Sequence, residues 1–328
     1  MIASTLHLHC LAWMGAVMFV ARLDAAPREM VQDPHFEHGF QLLAPAPGRA
    51  VVTGVLAGWK SGPPRWKLAQ WSSRHPLATN AAQATGEILV YSNAAKSVVL
   101  HRRAKTGEVE LMLAVAGSVE YDGKARRANE AWVHLLAEQT FTNPPALVEV
   151  ERLELVFEAR LLYSRKVTTP DYNPSLHAAQ FLMYFTVQNL NRQSSGYGKY
   201  LWFGVPIYDD RELHPKGHQA PDTGTGMFIY NPPAAAYTQG TLHEGGWVKF
   251  EADILPLMCE GLRAAWKRGF LTESTNFSDY RITGMNVGWE VPGIFDVSAV
   301  LRGLSLKAGL KAEPSRVGIR GGSSDSPH

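Results

Sequence analysis

From Glu87 onward, short runs of alternating apolar and polar residues, rich in Val, Tyr, Phe and Leu, are bounded by Gly, Asn, Pro or Asp. This period of two is the mark of half-buried β-strands. It predicts strands over 87–91, 97–103, 108–116, 150–163, 178–190, 199–208, 226–230, 246–253, 280–291 and 295–306. One segment has helical spacing instead: between Pro256 and Gly269, the residues Leu257, Met258, Gly261, Leu262, Ala265 and Trp266 share a stripe. Pro opens it and Gly closes it, as helix ends prefer. Many strands, one helix and no strand–helix alternation predict a mainly β fold, a two-sheet antiparallel β-sandwich (jelly roll) with a short helix near 256–269.

The flanks read differently. Residues 27–86 carry scattered Pro, Gly and Trp with little sustained period, which predicts a loop-rich N-terminal wrap over a β-sandwich domain spanning 87–310. The tail 311–328 ends in GIRGGSSDSPH and is too poor in bulky side chains to repay the entropy of ordering, so disorder is expected. At the other end, the apolar run Leu11–Ala21 has the length of a secretory h-region and is too short for a bilayer span, with Ala25 and Ala26 as small residues for cleavage. Residues 1–26 are therefore expected to be a signal peptide, although its leading segment has His7 and His9 in place of Lys or Arg. The expected destination is secreted or periplasmic.

Composition narrows the function. Of 328 residues, 45% are apolar and 19% charged, enough for a large core and too apolar for disorder. Lys plus Arg number 32 against 30 for Asp plus Glu, a formal +2 that lacks the basic excess nucleic acid requires, so no nucleic-acid partner is expected. Without residues 1–26 only Cys259 remains, which leaves no internal disulfide, and there is no Cys-x-x-Cys pair for structural zinc. No later segment is long and apolar enough to span a membrane.

Alternation also splits each strand into two faces. Over 180–188, Phe181, Met183, Phe185 and Val187 point to the core, leaving Gln180, Leu182, Tyr184, Thr186 and Gln188 opposite. Over 199–208 the core face is Leu201, Phe203, Val205 and Ile207, and the other is Tyr200, Trp202, Gly204, Pro206 and Tyr208, with a gap at Gly204 where a ligand could approach the backbone. Over 281–291, Arg281, Thr283, Met285, Val287 and Trp289 alternate with Ile282, Gly284, Asn286, Gly288 and Glu290. A face of Tyr, Trp, Gln, Asn and Glu suits an oligosaccharide, whose C–H faces stack on rings and whose hydroxyls need planar amides and carboxylates. The bland alternative is a polar face merely wetted, or covered by residues 27–85.

Glycoside cleavage needs two carboxyl groups across the scissile bond. Lys249, Glu251 and Asp253 alternate on one strand face, with Glu251 and Asp253 roughly 6 to 7 Å apart by strand rise. Glu290 or Glu158 could supply the opposing acid; Asp253 also reads as a helix N-cap. Uronate elimination instead needs Tyr or His near a carboxylate-neutralising group, and Tyr184, Gln180, Gln188, Arg160 and Lys249 could form such a set. The loop 208–222 gathers Asp209, Asp210, His214, His218 and Asp222, possible ligands for a divalent ion, at spacings that match no named metal motif; a solvated loop is favoured, and no cofactor is expected. Asp222-Thr223-Gly224 lacks the strand of an aspartic protease, His243-Glu244 lacks a second zincin His, and there is neither a G-x-S-x-G elbow nor a phosphate loop.

Strands such as AQFLMYFTVQN, KYLWFGVPIYDD and GWVKFEADI, a short helix, and then MNVGWEV and FDVSAVLRGLSL resemble the concanavalin A-like and jelly-roll secreted carbohydrate-active proteins over roughly residues 87–307. FEADI is similar to the E-x-D core of laminarinase-like hydrolases, but Leu255 and Pro256 stand where a second Glu would follow. The alginate-lyase signature strands are absent. The resulting expectation is a secreted polysaccharide-active protein, a glycoside hydrolase or polysaccharide lyase, with Glu251, Glu290 and Tyr184 as catalytic residues. Gln180, Gln188, Tyr200, Trp202, Tyr208, Arg160, Asn286 and Lys249 would bind a polysaccharide or oligosaccharide. The rivals are a non-catalytic glycan-binding or cell-surface module and a structural envelope protein.

Overall fold

In the computed structural model, residues 26–79 and 82–312 are described. The expected signal peptide, except for Ala26, and the tail beyond Ala312 lie outside them. The strands of the first half are β1 (Arg28–Glu29), β2 (Gly39–Ala44), β3 (Val51–Ala57), β4 (Trp66–Ala69), β5 (Gln83–Thr85), β6 (Ile88–Ser92), β7 (Lys96–Arg102), β8 (Val109–Ala116) and β9 (Val133–Thr140). Those of the second half are β10 (Val150–Lys166), β11 (Gln180–Asn189), β12 (Tyr200–Asp209), β13 (His218–Pro221), β14 (Phe228–Asn231), β15 (Val248–Asp253), β16 (Tyr280–Val291) and β17 (Phe295–Leu310). Two helices interrupt them, α1 (Gly117–Glu120) and α2 (Leu255–Lys267).

The strands form two sheets. One has eight strands in the order β15-β10-β17-β8-β7-β6-β5, with β1 beside β17; the other has nine, β13-β14-β12-β11-β16-β9-β4-β2-β3. Pairing is antiparallel except for β12 with β14 and β2 with β4. All ten strands expected from the alternating pattern are present, as is the helix, so the β-sandwich expectation holds. The expected wrap does not: β2, β3 and β4 extend the nine-stranded sheet, so residues 27–86 build the sandwich and do not lie over it. β9, which the pattern did not mark, sits near the middle of that sheet between β16 and β4.

Core packing follows the strand parity. Phe157 and Phe250 on neighbouring strands stack at 4.7 Å, both sealed from solvent. Trp289 is fully buried, and its indole N–H crosses between the sheets to donate to the Leu113 carbonyl at 2.9 Å, satisfying its only polar group. α2 contributes Met258, Gly261, Leu262 and Ala265 to the core. Gly261 allows this contact: a Cβ there would lie 2.8 Å from the Tyr230 ring and 3.0 Å from Leu201. Asp253 is not the N-cap of α2, a position taken by Ile254, but stands one residue before it and accepts from the Leu255 N–H at 3.2 Å and the Leu153 N–H at 3.0 Å.

Candidate functional site

The outer face of the nine-stranded sheet is ordered in rows by strand register. One row runs Lys67, Glu138, Asn286, Tyr184, Gly204 across five strands. A second runs His134, Glu290, Gln180, Asp209. Between them lies an apolar row, Leu136, Gly288, Leu182, Pro206. Beyond Tyr184 come Gly284, Thr186 and Trp202, then Arg281, Gln188 and Tyr200.

Tyr184, Trp202 and Tyr200 do share this face, all half-buried. Trp202 takes both tyrosines edge-on, with ring centroids at 5.8 Å to Tyr184 and 4.9 Å to Tyr200. Beside the rings, a recess of about 290 Å³ is lined by Glu138, Thr186, Gln188, Thr283 and Asn286 among others. The Gln188 amide donates to the Gly198 carbonyl at 2.8 Å, which fixes its orientation. Flat rings beside amides and a carboxylate are the groups sugar rings and hydroxyls require.

Two bulges alter the expected faces. Phe181 pairs with Tyr208 but Leu182 pairs with Pro206, so Ile207 is an extra residue and parity inverts beyond it. Tyr208 therefore turns inward, 3% exposed, against Trp289 at 5.9 Å and His243 at 4.7 Å, and is a core residue and not a ligand contact. In β16, Thr186 pairs with Gly284 and Val187 with Ile282, so Thr283 is the extra residue. Ile282 joins the core, and Arg281 comes opposite Gln188.

Three further expected site residues lie on the other sheet. β15 pairs with β10 at the end of the eight-stranded sheet, where Lys249 and Glu251 are exposed and joined as an ion pair. Arg160 is on β10 and stacks over Trp247. Glu251 and Glu290 thus belong to opposite sheets and cannot flank one sugar bond, because alternation decides a side chain's face and not its sheet. The gap at Gly204 is also filled: a Cβ there would meet Asn231 Oδ1 at 2.1 Å and Tyr184 Cε1 at 2.7 Å. Asn231, 7% exposed, donates from Nδ2 to the Tyr184 hydroxyl at 3.3 Å and so positions that ring.

The carboxylates on this face are held differently. Asp209 accepts from Arg211 Nε at 2.8 Å, Arg211 Nη2 at 2.7 Å and Gln180 Nε2 at 2.7 Å. Burial opposes its charge, yet these bonds keep its carboxyl below the usual range. Glu290 is one-fifth exposed, accepts from Trp132 Nε1 at 3.2 Å and has His134 Nε2 at 3.7 Å. Glu138 is pushed up by burial, which the Lys67 ammonium partly offsets. Burial also pushes the Tyr184 phenol well above its ordinary value, and the Glu290 carboxylate adds to this. Both effects raise the cost of forming the phenolate that a tyrosine base for uronate elimination would use.

The loop 208–222 does not gather ion ligands. Asp209 is committed to Arg211, Asp210 accepts from the Ala179 N–H at 2.7 Å, and His214 and His218 are exposed. No group of three or more His, Cys, Asp or Glu suited to a metal occurs among the described residues. Nor is any described helix long and apolar enough to cross a membrane. A wider recess of about 580 Å³ opens beside Arg28, Asp33, His38 and Arg65. Of its three acids, Glu29, Asp33 and Glu37, Asp33 is taken up locally, accepting from the N–H groups of Glu37 and His38 at 2.9 and 3.0 Å and from the His38 ring at 3.1 Å.

No protein-family model matches the chain, and no curated protein does. Among solved structures, the chain is similar to endoglucanase Cel12A from Rhodothermus marinus, with 12% identity and a TM-score of 0.35 over 74% of this chain and 97% of that one. It is similar to the family 11 xylanase from Neocallimastix patriciarum, with 10% identity and a TM-score of 0.33 over 70% and 98%. The xyloglucanase domain of NopAA from Sinorhizobium fredii, solved with cellobiose, gives 8% identity and 0.33 over 71% and 100%.

Proposed function

We propose that this protein holds a polysaccharide across the outer face of its nine-stranded sheet and acts chiefly as a glycan-binding module. The observation that carries the reading is the half-buried cluster of Tyr200, Trp202 and Tyr184 on one face, beside Gln188, Asn286 and Glu138. Rings fixed edge-to-face keep one another rigid, so a sugar stacking on them costs little ordering entropy. Elimination with Tyr184 as base is disfavoured by the burial that raises its phenol.

Hydrolysis is the second reading, and Glu290 favours it as a partly exposed carboxylate with Trp132 and His134 beside it. Against it stands its company. Its in-register neighbours are His134 and Gln180, and Asp209, two strands away, is clamped by Arg211. Glu138 is offset from Glu290 by four residues along the strand, about 13 Å by strand rise, beyond the separation of a hydrolytic carboxyl pair.

Titration calorimetry against a panel of neutral polysaccharides, with a reducing-end assay in parallel, separates the two. Binding that Trp202→Ala removes, without new reducing ends, is the expected result. Reducing ends released by the wild type and lost in Glu290→Gln would establish the hydrolase instead. No binding to any glycan tested would overturn both.

A further inference from the structure

The opposite side of the sandwich carries a second arrangement of rings and charge. On the outer face of the eight-stranded sheet, Lys249 pairs in register with Glu158 and Glu158 with Arg302. Arg302 Nε donates to Glu158 at 2.8 Å and Arg302 Nη1 lies 3.5 Å from Glu110, which lies 3.3 Å from His101. Lys249, Glu158, Arg302 and Glu110 form a ladder that alternates in sign across four strands, and they neutralise one another.

One row further along β10 the ladder stops. Arg160 stands opposite Val300, and Val300 opposite Met112, so no carboxylate shares its row there. Trp247 lies one step beyond the Ala159–Val248 pair, and its ring carries two guanidiniums, Arg302 at 3.9 Å and Arg160 at 5.0 Å. Among the described residues Arg160 has no ion-pair partner, and its Nε is shut from solvent with no acceptor. A ligand could therefore meet this guanidinium only through its terminal nitrogens. Past a bulge, Tyr163 is 40% exposed and carries the Arg165 guanidinium over its ring at 5.0 Å. Arg165 faces Asp296 in register without an ion pair between them, and Asp296 Oδ1 accepts from the N–H and hydroxyl of Ser118 at 3.1 and 2.8 Å, so the patch holds two guanidiniums against one carboxylate.

We propose that Arg160, Trp247, Tyr163 and Arg165 form a second binding surface, on the sheet opposite the aromatic groove, for a carboxylate-bearing polysaccharide. The two terminal nitrogens of a guanidinium stacked on a ring can still grip a carboxylate through two bonds. Across the bulge, Arg160 and Arg165 stand opposite Val300 and Asp296, four residues apart on the facing strand or about 13 Å by strand rise, which matches a short run of sugars and not a single small anion. The exposed Tyr163 ring beside Arg165 suits the apolar face of a pyranose ring. The contrast with the self-neutralised ladder next to it is the charge complementarity that selects an anionic occupant.

The test is titration calorimetry of the full chain with polygalacturonate at low salt. Binding should weaken as salt rises, and Arg160→Gln and Arg165→Gln should each weaken it about tenfold, the loss expected for one charge-assisted contact. Trp202→Ala, in the groove, should leave it unchanged. Wild-type affinity in both arginine variants, with circular dichroism showing both folded, would overturn the proposal. So would loss of polygalacturonate binding in Trp202→Ala, or equally tight, Arg160-dependent binding of duplex DNA. Failure of the groove reading would show separately, as neutral-glycan binding that is absent or indifferent to Trp202.

Discussion

Glu290 on β16 and Gln180 on β11 stand directly opposite one another, and Gln180 passes the contact on to Asp209 through a 2.7 Å hydrogen bond. The centre of this row is thus one partly exposed carboxylate facing an amide, where paired acid–base chemistry would require a second free carboxyl. Glu290→Gln should therefore keep the fold and change neutral-glycan affinity by no more than a few-fold. Calorimetry on the variant checks this, and complete loss of binding would make the charge itself the recognition element.

The aromatic cluster should dominate affinity. Trp202→Ala removes the ring that both Tyr184 and Tyr200 pack against, and roughly tenfold weaker glycan binding is expected from the loss of ~1.5 kcal/mol of aromatic contact. Trp202→Phe should restore part of it. Equal affinity in all three proteins would remove the cluster from the site.

Gly204→Ala tests the positioning of Tyr184 without touching its chemistry. The new methyl would fall within 2.1 Å of Asn231 Oδ1 and 2.7 Å of the Tyr184 ring, so both must shift. The expected outcome is weaker glycan binding with little change in the far-ultraviolet dichroism spectrum, and a crystal structure of the variant should show Tyr184 displaced.

Glu138 gives a pH-dependent prediction. Burial raises its folded pKa above 4.5, so the folded state favours the protonated form, and the stability this brings is lost as pH rises through the folded value. Glu138→Gln mimics the neutral acid and should be more stable than wild type at pH 7, with the gain vanishing near pH 4. Urea midpoints at the two pH values decide it; a variant less stable at pH 7 would show that the Lys67 contact outweighs burial.

Lys96 and Glu120 form an ion pair with both side chains fully buried, joined by the Ser73 hydroxyl. Burial raises the Glu120 pKa, but Lys96 and hydrogen bonds from Lys96, Ser73 and the Arg74 amide hold it net below 4.5. Its contribution is present at neutral pH and fades as pH drops through the folded value. Lys96→Met alone leaves a buried charge and should cost about 3–5 kcal/mol, whereas Lys96→Met with Glu120→Leu should be near neutral, as measured by urea denaturation at pH 7.

Strand parity was legible wherever one sheet face is wet. In β11 the odd residues Phe181 to Val187 are sealed and the polar or aromatic even ones, Gln180, Tyr184, Thr186 and Gln188, are half-exposed, because a period of two leaves no other choice once one face is buried. β9 was illegible for the complementary reason. Leu135 and Ala137 face the core, while Leu136 is buried under Leu43 and Trp71 on the outer side, so the alternation disappears. Its Leu-Leu-Ala-Glu-Gln run also favours a helix by intrinsic preference, which tertiary packing overrides. His134 and Glu138 were missed with it, and Trp132 stands just before it.

The amino-acid order alone determined the class of fold, the place of α2 and the shared face of Tyr184 and Trp202, since each follows from local periodicity and the burial it demands. Which strands became neighbours was decided only by the folded chain. Hydrogen-bond pairing put Glu251 and Glu290 on different sheets, and the extra residues Ile207 and Thr283 rotated Tyr208 and Ile282 into the core. Local pattern carries no information about pairing between distant segments, because the same alternating strand buries its apolar face equally well in either sheet.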